Sequence, residues 1–412
     1  MTDAPAMPQA RGRWRMLAIL CLGVVGVLAT WFSATAIVPE LIRDWQLTPG
    51  QAAWLTNAVQ LGFVAGAVGA SLVNLPDILP MHRLMAGAAL LAALSNAALL
   101  FVGPEGAVIA RVVTGIAMAG VYPPALKLMA TWFVKGRGLA LGFLIGALTF
   151  GSSMPHLVRA VADGVDWRAV VWATSATALG GALVFGAFAR EGPAPFGRAT
   201  FNPLQSLAVL TDRPLLLANL GYFGHMWELY AMWAWILAFA SAAEAVTEAG
   251  VQTFPMGSPS MLSFAVVASG VIGCLSGGWL SDRIGRCLTC AGMMIVSGTC
   301  AVLIGAFFDG PPLALALLAL LWGVTVIGDS AQFSAAVTEL ADSAFVGTAL
   351  ALQMGVGYGL TVMSIWALPL FAEWIGGWQW AFLFLVRGPV LGTCAMLALR
   401  ARPGAALAGG AR

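Results

Sequence analysis

Apolar runs about as long as a lipid bilayer is thick recur along the whole chain. A helix needs about 20 consecutive apolar residues to cross the hydrocarbon core, and charges, prolines and glycines divide the sequence into twelve such runs. Only 9% of the 412 residues are charged, whereas soluble domains have roughly 25%. The sequence therefore predicts an all-α integral membrane protein with twelve transmembrane helices, at residues 16–38, 51–73, 84–102, 106–130, 138–158, 168–189, 214–240, 259–280, 288–308, 312–334, 346–371 and 378–399.

The positive residues predict which side of the membrane each loop faces. If both termini are cytoplasmic, fifteen of the 20 lysines and arginines fall on or beside the cytoplasmic side, in agreement with the positive-inside rule. Arg43, Arg159 and Arg168 fall on the other side, and Arg111 and Arg387 lie within the runs. We therefore expect both termini in the cytoplasm. The fifteen residues are Arg11, Arg13, Arg15, Arg83, Lys127, Lys135, Arg137, Arg190, Arg198, Arg213, Arg283, Arg286, Arg400, Arg402 and Arg412.

The longest predicted cytoplasmic linker divides the runs six and six. It covers residues 190–213 and combines proline, glycine and charge. We expect a cytoplasmic tail at 1–15, a six-helix half at 16–189, this linker, a second six-helix half at 214–400, and a tail at 401–412. Two similar halves indicate an internal duplication, which in membrane proteins often places a binding site midway through the bilayer.

The composition argues against several classes of function. A net charge of +2 with scattered positive residues does not suggest nucleic-acid binding. All six cysteines lie in or beside apolar runs, so we expect free thiols and not a disulfide framework. Cys287 and Cys290 form a CxxC pair, but no second pair or nearby histidine completes a metal site. No nucleophile constellation indicates an enzyme, and we expect no cofactor.

A short charged motif follows the eighth run. In GGWLSDRIGRC, Gly278, Asp282, Arg283, Gly285 and Arg286 keep the spacing G-x-x-x-D-R-x-G-R. Together with the six-plus-six arrangement, this motif resembles the signature loop of the major facilitator superfamily of secondary transporters, which follows spans two and eight. The resemblance covers nearly the whole chain and implies a fold of two pseudo-symmetric six-helix halves.

These five residues are expected to form a gate at the cytoplasmic mouth. Glycine lets two helix ends approach closely, and arginines can pair with acids across the mouth. The alternative is that Arg283 and Arg286 only anchor the topology. In the first half, NLPDILPMHR keeps the aspartate as Asp77 but has Ile78 and Pro80 where the family has arginine and glycine. Only Asp77 is therefore assigned to a gate in that loop.

The fourth run contains RVVTGIAMAGVYPPALK, which is similar to the fourth-helix pattern of the family, an arginine followed by spaced glycines. That resemblance implies a role for Arg111 in substrate binding or proton coupling, and we assign Tyr122 to the same substrate site. Pro123 and Pro124 should break or bend this helix. The alternative is that Arg111 snorkels to the outer surface.

One branch of the superfamily resembles this chain loosely. Stretches such as GVYPPALKLMATWF are similar to the branch of nitrate/nitrite and cyanate porters. Nitrate/nitrite porters have substrate arginines on spans two and eight, and here neither 51–73 nor 259–280 contains arginine or lysine. Nitrate is therefore rejected as the leading substrate. The fifth run lacks the glycine-proline core that marks drug/proton antiporters, which disfavours efflux.

Four ionisable residues lie inside the predicted helices, namely Arg111, Glu228, Asp329 and Arg387. Each costs roughly 2.5 to 3.5 kcal/mol at a helix centre, so pairing, water or neutralisation is needed. The resemblance implies a central cavity lined by spans one, four, seven and ten, which hold the first three of these residues. We interpret Arg387 as structural, and Asp329 either couples protons or caps a helix end.

The seventh run, which contains GYFGHMWELYAMWAWI, has a polar face. His225 and Glu228 are three residues apart and hence about 60° apart on one side of a helix, with Tyr222 on the same side. At about 1.5 Å per residue, Glu228 lies about 20 Å into this helix, near the midplane. We predict that Tyr222, His225 and Glu228 bind substrate and that Glu228, His225 and Asp329 couple protons. The alternative is a His–Glu hydrogen bond that only ties helices together.

These observations favour a monomeric secondary active transporter in a bacterial inner (plasma) membrane. It would import a small, organic, anionic substrate by alternating access, in symport with protons and embedded in the lipid bilayer. Three alternatives stay open: proton-driven efflux of drugs or metabolites, metal-ion import through Met226, Met232, His225 and cysteine thiols, and a non-transporting membrane sensor.

Overall fold

The computed structural model describes residues 11–73, 75–133, 137–162, 166–194, 211–246, 254–341, 346–402 and 407. Within these ranges the chain forms α-helices and short 3₁₀ segments, and no strand occurs among them. For description, α1 to α10 are called the first half and α11 to α17 the second half.

The first half begins with a broken helix and continues with five longer elements. Proline occupies the first position of α4 and α7, where its fixed backbone angle suits a helix start and no hydrogen bond is lost. The helices are α1 (Arg13–Leu28), α2 (Ser33–Ala36), α3 (Val38–Trp45), α4 (Pro49–Leu72), α5 (Leu75–Ile78), α6 (Met81–Ala97), α7 (Pro104–Ala119), α8 (Tyr122–Trp132), α9 (Arg137–Val161) and α10 (Arg168–Phe188).

The second half begins with the long helix that carries the polar face predicted from the sequence. Side chains cap two of its helices: Asp212 accepts a hydrogen bond from the amide of Leu215, and Ser258 from that of Met261. The helices are α11 (Arg213–Ala245), α12 (Pro259–Ile284), α13 (Arg286–Leu303), α14 (Pro312–Gly328), α15 (Ser330–Leu340), α16 (Val346–Trp374) and α17 (Arg387–Arg400).

Ten helical segments of the described ranges are long and apolar enough to cross a membrane. The prediction of an all-α protein with many membrane-spanning helices is therefore confirmed. Helices α1, with 16 residues, and α11, with 33, are not among the ten, but they pack against them, α1 on α9 and α10 and α11 on α16 and α17. The count of twelve spans and the side on which the termini lie stay predictions.

Pairs of glycines let the first helix of each half approach the last one closely. Gly26 of α1 faces the main chain of Thr177 on α10, and Gly224 of α11 faces the main chain of Gly388 on α17. A β-carbon at Gly224 would lie 2.3 Å from the Gly388 carbonyl oxygen, so any larger residue would push the two helices apart. Both glycines belong to an L-G-x-x-G segment, at 22–26 and 220–224. The two halves therefore repeat the same packing.

The two halves meet along α4 against α16 and α9 against α12. Two ends of the bundle are named here for an arginine at each. The Arg159 end holds the end of α9 and the start of α12, and the Arg286 end holds the start of α13 and the end of α12. Helices that begin at one end finish at the other, so a residue's place along its helix gives its depth.

Three helices are interrupted near the centre of the bundle. Residues 29–32 form turns between α1 and α2, Gly120 and Val121 separate α7 from α8, and Asp329 separates α14 from α15. The second break lies just before Pro123 and Pro124, where the sequence predicted it. Each break leaves backbone carbonyl or amide groups without their usual helical partner, and these breaks position the polar groups of the site.

Candidate substrate and proton site

A buried histidine and aspartate meet at the break in the tenth predicted span. His225 lies on α11 and Asp329 separates α14 from α15. The Nδ1 atom of His225 is 2.8 Å from Oδ1 of Asp329, and the two side chains are only 1% and 2% exposed. The structure thus brings together two of the three residues predicted to couple protons. The other ring nitrogen of His225, Nε2, has no hydrogen-bond partner among the described residues.

Aromatic rings surround this histidine. The Phe333 ring on α15 lies 5.4 Å from the imidazole, and the Tyr222 ring, one turn earlier on α11, lies 6.1 Å from it. Tyr222 also contacts α16, because a β-carbon added at Gly357 would overlap its ring. His225 and Tyr222, two predicted substrate residues, therefore share one face of α11 near α15 and α16.

Glu228 contacts different neighbours from those of His225. Its Oε2 atom accepts a hydrogen bond from Ser297 on α13 at 2.8 Å, and its Oε1 atom accepts one from the indole nitrogen of Trp322 on α14 at 2.8 Å. The side chain is buried. The two side chains are about 60° apart around α11. Glu228 points between α13 and α14, whereas His225 points toward the Asp329 break. Among the described contacts of His225 and Glu228, the two side chains do not hydrogen-bond to each other, which was the alternative considered from the sequence.

Arg111 is completely buried on α7 and does not reach the surface. Two of its five acceptors are main-chain oxygens in the interruption after α1, and the other three come from α2, α4 and α6. All are neutral: the carbonyl oxygens of Thr30 at 2.8 Å, Trp31 and Leu55 at 3.3 Å, Ser33 Oγ at 3.2 Å and Asn96 Oδ1 at 3.2 Å. The predicted substrate residue Arg111 therefore donates its hydrogen bonds to groups of the first half, and none of these contacts is with a carboxylate.

All four tyrosines of the chain gather between the halves. Tyr230 on α11 and Tyr358 on α16 share a hydrogen bond of 3.0 Å between their hydroxyl groups. Tyr122 and Tyr222 lie within electrostatic range of them. The predicted substrate residue Tyr122, at the start of α8, is therefore placed at the same interface, although it belongs to the first half.

Six aromatic side chains, called here the interface cluster, join the first half to the second. Trp31 stacks on Tyr230 with ring centroids 5.9 Å apart, and Phe63 lies 4.5 Å from Tyr358. All six are nearly inaccessible to solvent. The cluster consists of Trp31, Phe32, Phe63, Tyr230, Trp233 and Tyr358. This contact between the halves was not predicted from the sequence.

A polar latch joins the halves at the Arg159 end. Nε and Nη2 of Arg159 donate to Oε1 of Glu40 on α3, at 3.0 and 2.7 Å. Nη1 of Arg159 donates to Ser260 Oγ in the first turn of α12, at 2.9 Å. The first contact stays within the first half, and the second crosses to the other half. Neither Arg159 nor Glu40 was among the predicted site residues.

The signature loop makes its contacts within the second half. Arg286 pairs with Glu339 and donates to Gln332 Oε1 at 2.7 Å, both on α15. Arg283 lies over the Trp279 ring at 4.0 Å, and Asp282 is exposed. Gly285 has a φ of 86°, a conformation that suits glycine.

Two gate residues differ from the others. A β-carbon at Gly278 would meet nothing within 4 Å, whereas one at the neighbouring Gly277 would lie 1.8 Å from the carbonyl oxygen of Gly328. The glycine that the packing requires is therefore Gly277, which precedes the motif. Asp77 belongs to α5, but its side chain lies outside the part of the chain that the structure describes.

Arg387, interpreted as structural, begins α17. Its guanidinium lies 4.3 Å from the Phe384 ring and 5.5 Å from the Trp227 ring, and its Nε donates to the Phe384 carbonyl at 3.1 Å. These are cation–π and main-chain contacts at a helix start. They place Arg387 away from His225 and Asp329.

Known proteins resemble this chain in sequence and in fold. The probable sulfoacetate transporter SauU of Cupriavidus necator is 24% identical over 195 residues, 43% of this chain and 44% of that protein. The niacin transporter NiaP of Acinetobacter baylyi is 24% identical over 313 residues, 66% of this chain and 67% of that protein. The match to SauU thus spans less than half of that relative.

Two solved structures share the fold at low sequence identity. The nucleoside transporter NupG has a TM-score of 0.72 at 15% identity, covering 94% of this chain and 99% of that one. A bacterial homologue of the human lysosomal transporter Spinster has a TM-score of 0.65 at 14% identity, covering 95% and 96%. The family model of the Major Facilitator Superfamily matches residues 19–364. The chain therefore belongs to the major facilitator superfamily of membrane transporters.

Proposed function

We propose that this protein is a twelve-span secondary active transporter that imports a small organic anion in symport with protons. The family supports transport, and the sulfoacetate and niacin transporters among its relatives support an organic, acidic substrate. The observation that carries the proposal is the buried His225–Asp329 contact at a helix break.

The Arg286 end is assigned to the cytoplasm. Arg13, Arg213, Arg286 and Arg400 all lie where helices begin or finish at that end, and positive residues favour the cytoplasmic side. Helices α1 and α11, the first elements of the two halves, complete the twelve spans. The protein then lies in a bacterial inner membrane with both termini on the cytoplasmic side, and it works as a monomer.

Alternating access follows from two halves that separate at one end at a time. The Arg159–Ser260 bond holds the halves together at the Arg159 end, and the interface cluster holds them together near the middle of the helices. In the opposite state these contacts part, and the signature loop, with Gly278, Asp282, Arg283, Gly285 and Arg286, together with Asp77 closes the cytoplasmic mouth.

Proton coupling depends on the two ring nitrogens of His225. A proton on the imidazole turns the 2.8 Å contact with Asp329 into an ion pair. The same proton leaves Nε2 as a charged donor, and that atom has no partner within the described ranges. The positive charge on this ring attracts an anion that enters between the halves, so the anion favours the proton, and the proton favours the anion, by the reciprocity of linked binding. Glu228, held by neutral donors, is the second proton carrier.

The test is uptake into proteoliposomes under an imposed inward proton gradient. The probes are labelled acetate, succinate, benzoate and nicotinate. We expect the gradient to accelerate uptake of at least one acid, and we expect Asp329→Asn and Glu228→Gln each to remove that acceleration. His156→Gln is the matched control, because His156 is also buried but lies on α9 in the first half. Uptake that does not respond to the gradient would refute proton symport. Acceleration that survives in both variants would refute Asp329 and Glu228 as the proton carriers.

A further inference from the structure

Polar groups without partners concentrate beside the interface cluster. Both side-chain amide atoms of Asn57 and of Gln60, and the indole nitrogens of Trp31 and Trp233, are buried without a hydrogen-bond partner in the described part of the chain. The large majority of buried side-chain polar atoms in native proteins have a hydrogen-bond partner. Six such atoms at one interface need an explanation.

The register of α4 against α16 places the two amides at this interface. Gly50 of α4 lies beside Trp366, and Phe63 lies 4.5 Å from Tyr358. Residues 57 and 60 fall between these two contacts and so lie opposite the stretch of α16 between Tyr358 and Trp366. Gln60 precedes Phe63 by three residues and therefore shares its side of the helix.

The unpartnered atoms favour a ligand rich in hydrogen-bond acceptors. Four of the six are donors, namely the amide nitrogens of Asn57 and Gln60 and the two indole nitrogens, and two are amide oxygens. Donors outnumber acceptors by two to one. A carboxylate, which only accepts and can take several hydrogen bonds, matches this set better than a hydroxyl or an ammonium group does.

The charge behind the cluster has the matching sign. Arg111 donates to the carbonyl oxygens of Thr30 and Trp31, so its guanidinium lies directly behind the backbone that carries the Trp31 ring. Its contacts are all neutral, so its positive charge is not cancelled locally. An anion between the halves is stabilised by that charge, which acts more strongly where water is excluded.

The rings of the cluster supply flat apolar surfaces from both halves. Trp31 and Tyr230 are already stacked at 5.9 Å, and Tyr358 lies within 6.1 Å of Trp31. A planar ring can enter between such faces when the halves move apart and replace one aromatic contact by another. A saturated ring of the same size lacks the flat face and the edge charges that this geometry prefers.

We propose that the interface cluster, with Asn57 and Gln60, binds an aromatic or heteroaromatic carboxylate. This inference rests on the proposed function and names the substrate class of that transporter. The ring stacks between Trp31 and Tyr230, and the carboxylate receives hydrogen bonds from the amides and indoles.

Binding of matched acids to the purified full-length protein tests the class. Benzoate and nicotinate are compared with cyclohexanecarboxylate, which keeps size and charge but has no planar ring, and with acetate, in calorimetry and in thermal-shift titrations. We expect the aromatic acids to bind about tenfold more tightly than cyclohexanecarboxylate, since aromatic pairing adds up to about tenfold beyond burial of area.

Two variants test the residues. Gln60→Leu and Trp31→Phe remove unpartnered polar atoms. Gln60→Leu keeps the side-chain volume and should raise the melting temperature of the ligand-free protein, because an unsatisfied buried group is lost, whereas Trp31→Phe also leaves a cavity and should lower it. Each should also weaken benzoate binding by about tenfold, the effect of one hydrogen bond to a charged group. Trp172→Phe, on the exposed face of α10, is the control and should change neither quantity.

The outcomes separate the two proposals. If cyclohexanecarboxylate binds as tightly as benzoate, the aromatic class is overturned while import of organic anions stands. If Gln60→Leu and Trp31→Phe both leave benzoate binding unchanged, the assignment of the site is overturned. If aromatic acids bind but no acid is taken up with the proton gradient, the proposed symport fails and the binding site stands.

Discussion

The hydroxyl of Ser260 offers the cleanest way to loosen one end of the molecule. Arg159 is held by Glu40 within the first half, and among the described residues only its Nη1–Ser260 bond of 2.9 Å crosses to the second half. Ser260→Ala removes that crossing bond and leaves the Arg159–Glu40 pair in place. The state in which the Arg159 end is closed should therefore lose stability relative to the state in which it is open.

The size of the effect follows from the exposure of the latch. A hydrogen bond to a charged group contributes about 1.5 to 3 kcal/mol, and an exposed ion pair contributes about 0 to 1 kcal/mol. The side chains of Arg159 and Glu40 are 22% and 25% exposed, so water can replace part of the lost bond. We expect about 1 kcal/mol, which changes the ratio of the closed to the open state by about fivefold.

Pulsed electron–electron double resonance measures the ratio of the closed to the open state through the distance between two spin labels. Spin labels are attached after Glu105→Cys and Trp374→Cys, at exposed residues near the Arg159 ends of α7 and α16 in opposite halves, with the native cysteines replaced. Ser260→Ala should increase the long-distance population. Ser263→Ala is the matched control, because that hydroxyl donates to Pro259 of its own helix at 2.7 Å. Equal distance distributions for the two alanine variants would refute the latch.

Two further substitutions test how the halves are held together. Arg111→Lys shortens the side chain and reduces its five N–H donors to three, so buried carbonyl groups lose their partner. We expect about 1 to 3 kcal/mol of destabilisation for each carbonyl group left unpaired, seen as a lower melting temperature. An unchanged melting temperature would show that the contacts to Thr30 and Trp31 are dispensable. Gly277→Ala would place a β-carbon 1.8 Å from the Gly328 carbonyl oxygen, so size-exclusion chromatography should show loss of folded protein. Gly278→Ala is the control and should elute like the parent protein, because a β-carbon there meets open space. Equal yields of these two neighbouring variants would contradict the packing.

The fold was largely predictable because membrane helices leave a strong one-dimensional signal. Apolar runs and the prolines at 123 and 124 located most helices and one interruption. The break after Leu28 was missed, because the residues that follow, Ala29 to Phe32, include neither glycine nor proline. At this break the guanidinium of Arg111 donates to the carbonyl oxygens of Thr30 and Trp31, and these contacts join residues that are distant in sequence.

The candidate site was predictable only where a charge stood out. His225, Glu228 and Asp329 were found because ionisable groups are rare in apolar runs, but their partners were not, since pairing depends on which helices become neighbours. Asn57 and Gln60 carry no charge and were overlooked, although two amides three residues apart in an apolar helix are a usable signal.

The Arg159 latch was overlooked for a different reason. Arg159 was counted with the few positive residues on the outer side and given no role. Its rarity on that side was itself the signal, because selection for topology disfavours arginine there.

The backbone contacts of Arg111 also bear on how this protein can change. Thr30 and Trp31 hold the guanidinium through main-chain oxygens, and a main-chain oxygen is common to every amino acid. The side chain at position 31 can therefore be exchanged without removing the main-chain hydrogen bonds that hold the Arg111 guanidinium. Natural or laboratory evolution can vary the ring there and keep the scaffold of the first half. Position 31 is thus the place to begin a directed-evolution library for a new substrate.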